Sequence, residues 1–290
     1  MIAENKLETT GIITKEYVHT VIKKRRRDIH KGDCGKVLII AGSKGMAGAA
    51  VLCGLAAYRS GSGLVRIAID EELFPIIQIG LPEATCVSRK ALSGQLSQYD
   101  AIAMGPGMGD DQKNEEIIRS VLAEFSGPLV LDADSLNIVA QRKLAEAVRH
   151  SSAEIILTPH EAEAARLLEI PLAELKKRKR NDIAKTISEK FCAVSVLKGA
   201  DTVVAMKSGK TYINSTGNAG MATGGSGDVL TGVIAGFSGQ GISVSDAAVA
   251  AVFVHGLAGD LGSSQFSQHG LMAGDIADLI GPAIKTIVGK

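Results

Sequence analysis

The run Gly224-Gly225-Ser226-Gly227-Asp228 sets a carboxylate where a glycine turn gives way to the apolar stretch Val229-Leu230-Thr231-Gly232-Val233-Ile234. Glycines let backbone N–H groups converge without side-chain obstruction. A helix start adds aligned peptide dipoles and N–H donors that lack an intrahelical partner. Together they suit a phosphate or a developing anion. An Asp at that boundary could take the proton of a hydroxyl as its oxygen meets a phosphoryl group. On that reading Asp228 is the base, and Gly225, Ser226 and Gly227 hold the charge. The structural alternative is an Asp N-cap after a glycine loop.

Five further clusters carry chemistry-bearing residues. In Lys198-Gly199-Ala200-Asp201-Thr202, Lys198 offers a point charge for a phosphate. The backbone after it could hold a nucleotide; an ordinary β-turn explains the same residues. Asp132, Asp134 and Asn137 are oxygen ligands suited to water-held Mg²⁺ or to substrate hydroxyls. Alternatively, Asp134 or Ser135 caps a short helix. Thr158-Pro159-His160-Glu161-Ala162-Glu163 is a capping arrangement that puts His160 at a helix start, where a neutral imidazole can meet substrate. Gly42 to Gly48 has G-x-x-G-x-x-G spacing, which fits neither the dinucleotide fingerprint nor Walker A. Its small neighbours, Ala47, Gly48, Ala49 and Ala50, would let a bulky ligand approach. Gly105-Pro106-Gly107 is a rigid turn, whether or not its backbone lies flat against a ligand.

The elements that must position these clusters are legible as alternating patterns. Short apolar runs at 37–41, 64–69, 101–104, 129–131 and 155–157 predict buried strands. Helical patterns follow at 49–59, 115–124, 161–168 and 175–190. Continuous apolar strands separated by helices mean a parallel sheet covered on both faces. Runs at 194–197, 202–206 and 211–213 crowd together and predict an antiparallel edge or hairpin with a turn at 207–210. Helices at 228–237, 245–261 and 272–280 close the chain, the last expected to stop at Gly281-Pro282. Residues 1–30 are expected to form an N-terminal helix or arm on a single domain spanning 1–290. In open α/β sheets ligands sit beyond the C-terminal strand ends, where the polar and glycine clusters fall.

Composition narrows the partners. Of 290 residues, 46% are hydrophobic, enough for a sizeable core. A net charge of +1 gives no global field for nucleic acid, and 3% aromatics with no Trp offer no base-stacking platform. Lys23-Lys24-Arg25-Arg26-Arg27 reads as a solvated face. The four cysteines form no C-x-x-C pair, so no metal site is assigned from them; reduced thiols and a cytoplasmic location are expected. The apolar stretch 247–259 is too short for a membrane span, and no signal peptide is recognised.

From about Ile29 onward the chain resembles the ADP- or ATP-dependent NAD(P)H-hydrate dehydratases of the ribokinase superfamily. The motifs that carry the resemblance, in order, are His30-Lys-Gly-Asp-Cys-Gly35, Ala41-Gly-Ser43, Ala47-Gly-Ala49, Gly105-Pro-Gly107, Leu131-Asp-Ala-Asp134, Leu157-Thr-Pro-His160, Val196-Leu-Lys-Gly199, and Gly217-Asn218 followed by Gly224 to Asp228. The resemblance implies a ribokinase-like three-layer α/β/α fold. It implies a carbon–oxygen lyase that removes water from the 6-hydroxy adduct of NADH or NADPH (NAD(P)HX), spending ADP or ATP, with ADP expected. Asp228 would activate the ring hydroxyl, and Gly225, Ser226 and Gly227 would stabilise the transferring phosphoryl. Lys198, Gly199, Ala200, Asp201, Thr202 and Gly227 would bind the nucleotide. Ala49, Gly107, His160 and Asp228 would contact the hydrated cofactor, and Mg²⁺ would escort the phosphates. A homotetramer is implied, with no epimerase domain on this chain. Kinases of small alcohols such as hydroxyethylthiazole fit the same loop, but tend to carry Asn where this chain has His160. A non-catalytic nucleotide sensor would not need Asp228.

Overall fold

Ten strands form one sheet in the computed structural model, which describes residues 10–289. In chain order they are β1 (Thr10–Ile12), β2 (Lys36–Ile40), β3 (Leu64–Ile69), β4 (Thr85–Ser88), β5 (Ala101–Met104), β6 (Pro128–Leu131), β7 (Glu154–Leu157), β8 (Val194–Leu197), β9 (Val203–Ala205) and β10 (Thr211–Ile213). Their spatial order is β1-β10-β9-β8-β7-β6-β5-β2-β3-β4. Only the pairs that β9 makes with β8 and β10 are antiparallel. The crowded strands do mark the antiparallel part, and Met206 N–H donates to Lys210 O at 2.9 Å across the expected turn. β10 is not an edge, because β1 pairs beside it in parallel with Thr10 opposite Thr211.

The helices are α1 (Lys15–Val21), α2 (Ala47–Arg59), α3 (Phe74–Gly80), α4 (Gln112–Glu124), α5 (Ala133–Gln141), α6 (Ala145–Arg149), α7 (Glu161–Leu168), α8 (Leu172–Leu175), α9 (Arg180–Phe191), α10 (Ser226–Gly239), α11 (Val244–Gly270) and α12 (Ala273–Val288). Successive side chains of a strand point to opposite faces. Val37 and Ile39 of β2 accordingly join a core built with α1–α3 and α10–α12, while Leu38 and Ile40 join a second core built with α4–α9. Burial on both faces is why the strands read as unbroken apolar runs. The architecture is the expected three-layer α/β/α fold with a mostly parallel sheet.

Three expectations about elements need correction. The pattern at 175–190 is two helices, α8 and α9, with extended backbone at Lys179 between them. The helix expected at 245–261 runs from Val244 to Gly270, interrupted at Ser267, where φ is 65°. This helix is long and apolar enough to cross a membrane, but 72% of its most apolar window is buried inside the protein. α12 does not stop at Gly281-Pro282; Pro282 lies inside it. Ala283 and Ile287 beyond the proline are buried in the core, so packing outweighs the lost ladder bond. α3 and β4 carried no signal strong enough to be recognised. The N-terminal arm of 1–30 lies outside the described residues up to residue 9, and continues as β1 and α1.

The chain turns left along the sheet from β5 to β8 and right from β2 to β4. The helix after β2, α2, covers one face, and the helix after β5, α4, covers the other. The helices thus part to opposite faces, which makes the gap between these adjacent strands the topological switch point, with a loop on each side of it, where open α/β sheets bind ligands. These loops are the Gly42 and Gly105 clusters.

Candidate active site

The two glycine loops meet back to back. Gly42 N–H donates to Pro106 O at 2.8 Å. Gly107 has φ of 55°, and a Cβ there would stand 3.0 Å from that of Ala49. Only glycine allows this approach without strain. Ala49 and Gly107, both predicted to contact substrate, are thus side by side at the switch point.

The Asp132 cluster follows β6. Gly105 makes room for it: a Cβ on Gly105 would fall 1.8 Å from Asp132 O. Asp132 takes the N-cap position of α5, yet its side chain caps nothing. Its Oδ1 lies 2.5 Å from Lys198 Nζ, and its Oδ2 accepts from Thr231 Oγ1 at 2.7 Å. Neither Asp134 nor Ser135 is the cap: Asp134 Oδ2 accepts from Gly109 N–H at 2.9 Å, and Ser135 Oγ donates to Met104 O at 2.9 Å. Ala133, beside Asp132, holds φ of 47°, a strained backbone of the kind that collects at functional sites. Asn137 is drawn away instead, accepting from Arg166 Nη1 at 2.8 Å.

Lys198 ends β8 and is turned inward. Its side chain is only 16% exposed, and Nζ also lies 3.8 Å from Glu163 Oε2. Burial alone would push its pKa down, but the Asp132 and Glu163 carboxylates outweigh that and raise it. Gly199 to Thr202 form the turn beyond it, with Gly199 at φ of 137° and Thr202 Oγ1 donating to Gly199 O at 2.9 Å. Ala200 and Asp201 are exposed there. Arg180 braces this turn by donating to Leu197 O and Lys198 O, each at 3.0 Å.

His160 stands after β7 as the N-cap of α7. Its Nδ1 accepts from Ala162 N–H at 3.1 Å and Glu163 N–H at 3.2 Å. Glu163 reciprocates by accepting from His160 N–H at 2.8 Å. Burial, then the nearby Lys198 charge, hold the imidazole below its ordinary pKa, so it is neutral near pH 7. Burial also raises the Glu163 carboxyl.

The Gly224 loop enters α10 beside this network. Gly225 adopts φ of 92°, and the helical ladder begins only with Val229 N–H donating to Gly225 O at 3.1 Å. Ser226 N–H donates to Thr223 O at 3.4 Å, which leaves the Gly227 and Asp228 amides without an intrahelical partner. Ser226 is buried, its Oγ 3.4 Å from His255 Nε2, so its side chain faces the core. Burial pushes His255 down to about 4, which keeps that imidazole neutral. At Gly227 a Cβ would meet Lys198 Nζ at 3.4 Å. The site predicted from separate stretches is therefore joined: Lys198, Gly227 and Asp132 are neighbours.

Asp228 is half-buried and takes no hydrogen bond from another described side chain. Burial, then the charge of Asp132, push its pKa up to about 7, with Lys198 opposing. A carboxyl that is unpaired and poised near neutrality is equipped to accept a proton. Among the described residues no group of three or more His, Cys, Asp or Glu gathers to hold a metal. Asp132 is engaged on both oxygens, so the residues suit a cation brought by phosphates and held mostly through water.

Thr231, Arg89 and Asn114 were missed from sequence. Thr231 had a signal, since it stands three residues after Asp228 and so on the same helical face. Arg89 and Asn114 had none.

Comparison with known proteins shows the family and the fold. The family model for NAD(P)H-hydrate dehydratase matches residues 37–282. A bifunctional NAD(P)H-hydrate repair enzyme of Moorella thermoacetica is 38% identical over 282 residues, covering 93% of this chain; the chain spans 53% of that relative's length. An ADP-dependent (S)-NAD(P)H-hydrate dehydratase of Bacillus subtilis is 38% identical over 271 residues, covering 92% of this chain and 95% of the relative. The crystal structure of the ADP/ATP-dependent NAD(P)H-hydrate dehydratase from Bacillus subtilis, co-crystallised with ATP and Mg²⁺, superposes with a TM-score of 0.85 at 35% identity, covering 96% of this chain and 98% of that one. Its switch-point loops, its glycine loop and these matches place the chain in the NAD(P)H-hydrate dehydratase family, on the ribokinase-like fold.

Proposed function

We propose that this chain dehydrates the 6-hydroxy adduct of NADH or NADPH and regenerates the reduced cofactor, with ADP or ATP as phosphoryl donor. The observation that carries this is Asp228: a half-buried carboxyl with a pKa of about 7, at the mouth of an unladdered helix start. The hydrated ring lies against Ala49, Gly107 and His160, with its C6 hydroxyl toward Asp228. Asp228 takes the hydroxyl proton as that oxygen bonds to the donor's terminal phosphorus, and the nucleotide's bridging P–O bond breaks. The amides of Gly225, Gly227 and Asp228 face the charge spread over the transferring group. The C6–O bond then breaks with phosphate as leaving group, and C5 gives up a proton.

On this reading, the turn at Lys198 to Thr202 holds the nucleotide, with backbone and Lys198 on the side near Gly227. ADP is the preferred donor, in keeping with the name of the Bacillus relative. Mg²⁺ supplies charge neutralisation when it arrives with the phosphates. The chain acts as one catalytic domain and assembles as a homotetramer. A cytoplasmic location accords with Cys34, Cys53, Cys86 and Cys192, which are all free thiols.

The test is absorbance at 340 nm. Purified protein with Mg²⁺ and hydrated NADH receives ADP in one cuvette and ATP in another. A nucleotide-dependent rise is expected, faster with ADP. No rise in either cuvette with folded protein overturns the proposal.

A further inference from the structure

Arg89 follows β4 at the far end of the sheet from the nucleotide turn, and is only 8% exposed. Its guanidinium runs beneath the switch point. Nη2 donates to Ala41 O at 3.0 Å and also to Gly42 O. Nη1 donates to Met108 O at 3.3 Å and to Asn114 Oδ1 at 3.2 Å, and Nε to Ala68 O at 3.4 Å. Asn114, also buried, extends the grip by donating from Nδ2 to Met108 O at 2.7 Å and Gly109 O at 3.1 Å.

One side chain thus binds the carbonyl ends of β2 and β3 and the loop after β5. No carboxylate of a described residue lies within ion-pair distance of it. Its hydrogen bonds go only to carbonyls and an amide, and the more distant charges of Asp70 and Asp111 do not offset its burial, which is costly for stability alone. What the arrangement secures is the relative position of the Gly42 and Gly105 loops. The first leads into the opening turn of α2, which holds Ala49, and the second carries Gly107; the two stand at contact distance.

We propose that Arg89, with Asn114, is a positioning residue that sets the relative position of Ala49 and Gly107 and so the binding of the hydrated dinucleotide. The inference rests on the function proposed above. The nucleotide turn and the α10 start belong to the other side of the switch point and share no hydrogen bond with Arg89. Its effect therefore falls on one substrate and not on the other.

Arg89 also lines a cavity of about 640 Å³ that opens between Asp70, Ser88, Lys90, Asp111 and Lys113. Truncation of Arg89 would leave a vacancy that solvent can reach from this cavity, so a free guanidinium ion can enter it.

The experiment is steady-state kinetics of wild type, Arg89→Ala, Arg89→Lys and Asn114→Ala with hydrated NADH and ADP, with folding checked by circular dichroism. Arg89→Ala is expected to raise KM for the hydrated cofactor about tenfold or more, with KM for ADP changed less than about twofold. Guanidinium at tens of millimolar should restore much of the loss in Arg89→Ala and leave the wild type unchanged. Arg89→Lys and Asn114→Ala should shift the same constant in the same direction by less. An unchanged KM for the hydrated cofactor, or equal rises in both KM values, overturns the inference. If Arg89→Ala does not fold, Asn114→Ala and Arg89→Lys decide by the same criterion. A wild type that forms no NADH takes down the functional reading, and this inference with it; a working wild type beside unaffected variants takes down the inference alone.

Discussion

Lys198 Nζ lies 2.5 Å from Asp132 Oδ1, and Thr231 occupies the other oxygen of the same carboxylate at 2.7 Å. Asp132 is thereby fully committed, while Asp228 has no such partner. Two carboxyls of one site differ in their surroundings: one is held on both oxygens, the other is left without a side-chain partner.

Breaking the buried pair from one side should be costly. Asp132→Asn or Lys198→Met alone is expected to lose about 3–5 kcal/mol of stability, because each leaves a desolvated partner behind. The double variant should lose less than the sum of the two. Urea denaturation of all four proteins measures this; strict additivity would show that the pair carries no coupling.

Activity should follow the ionisation of Asp228. With its pKa pushed up to about 7, kcat/KM is expected to fall on acidification through an apparent pKa near that value. Asp132→Asn removes one of the charges that raise Asp228, so the acid limb should move to lower pH. Asp228→Asn should lower kcat/KM about 10²–10⁴-fold with binding largely kept. A limb unmoved by Asp132→Asn, in protein that remains folded, would deny the coupling.

Stability should carry the opposite pH signature. Folding raises the pKa of Asp228, so between its unfolded value of 3.8 and about 7 the native state binds more protons than the unfolded state. The contribution is full below the unfolded value and is lost as pH rises through about 7. Asp228→Asn abolishes this loss, and its Tm at pH 8 should exceed that of the wild type by a few degrees, about 2–4 °C per kcal/mol recovered. The difference should shrink near pH 4. A scan of Tm against pH for both proteins checks it.

The glycines of the site should differ sharply. Gly225→Ala forces a side chain into φ of 92° and puts Cβ 2.5 Å from Leu52 Cδ1, a methyl that can move; about 1–2 kcal/mol is expected. Gly105→Ala combines φ of 123° with a Cβ 1.8 Å from the backbone oxygen of Asp132, and should cost more than about 3 kcal/mol. A Cβ at Gly224 meets nothing within 4 Å, so Gly224→Ala should leave stability unchanged within about 0.5 kcal/mol. Thermal melts of the three variants rank them.

The sequence by itself determined the three-layer sheet, because unbroken apolar strands separated by helical patterns have no other way to bury both faces. It also determined that the glycine loops and polar clusters fall at C-terminal strand ends, and that Asp228 stands at a helix start. It missed α3 and β4, which are short and weakly patterned, and it ended α12 at Pro282, where local propensity lost to the packing of Ala283 and Ile287. Only the tertiary structure decided which carboxylate is engaged. Asp132, Lys198 and Thr231 are 66 and 99 residues apart along the chain, as Asp132 to Lys198 and Asp132 to Thr231. Nothing local fixes such pairings; they arise because β6, β8 and α10 are packed into one rim. The same holds for Arg89 beneath Gly42 and Met108: a buried guanidinium takes its meaning from the carbonyls that three strand ends bring to it.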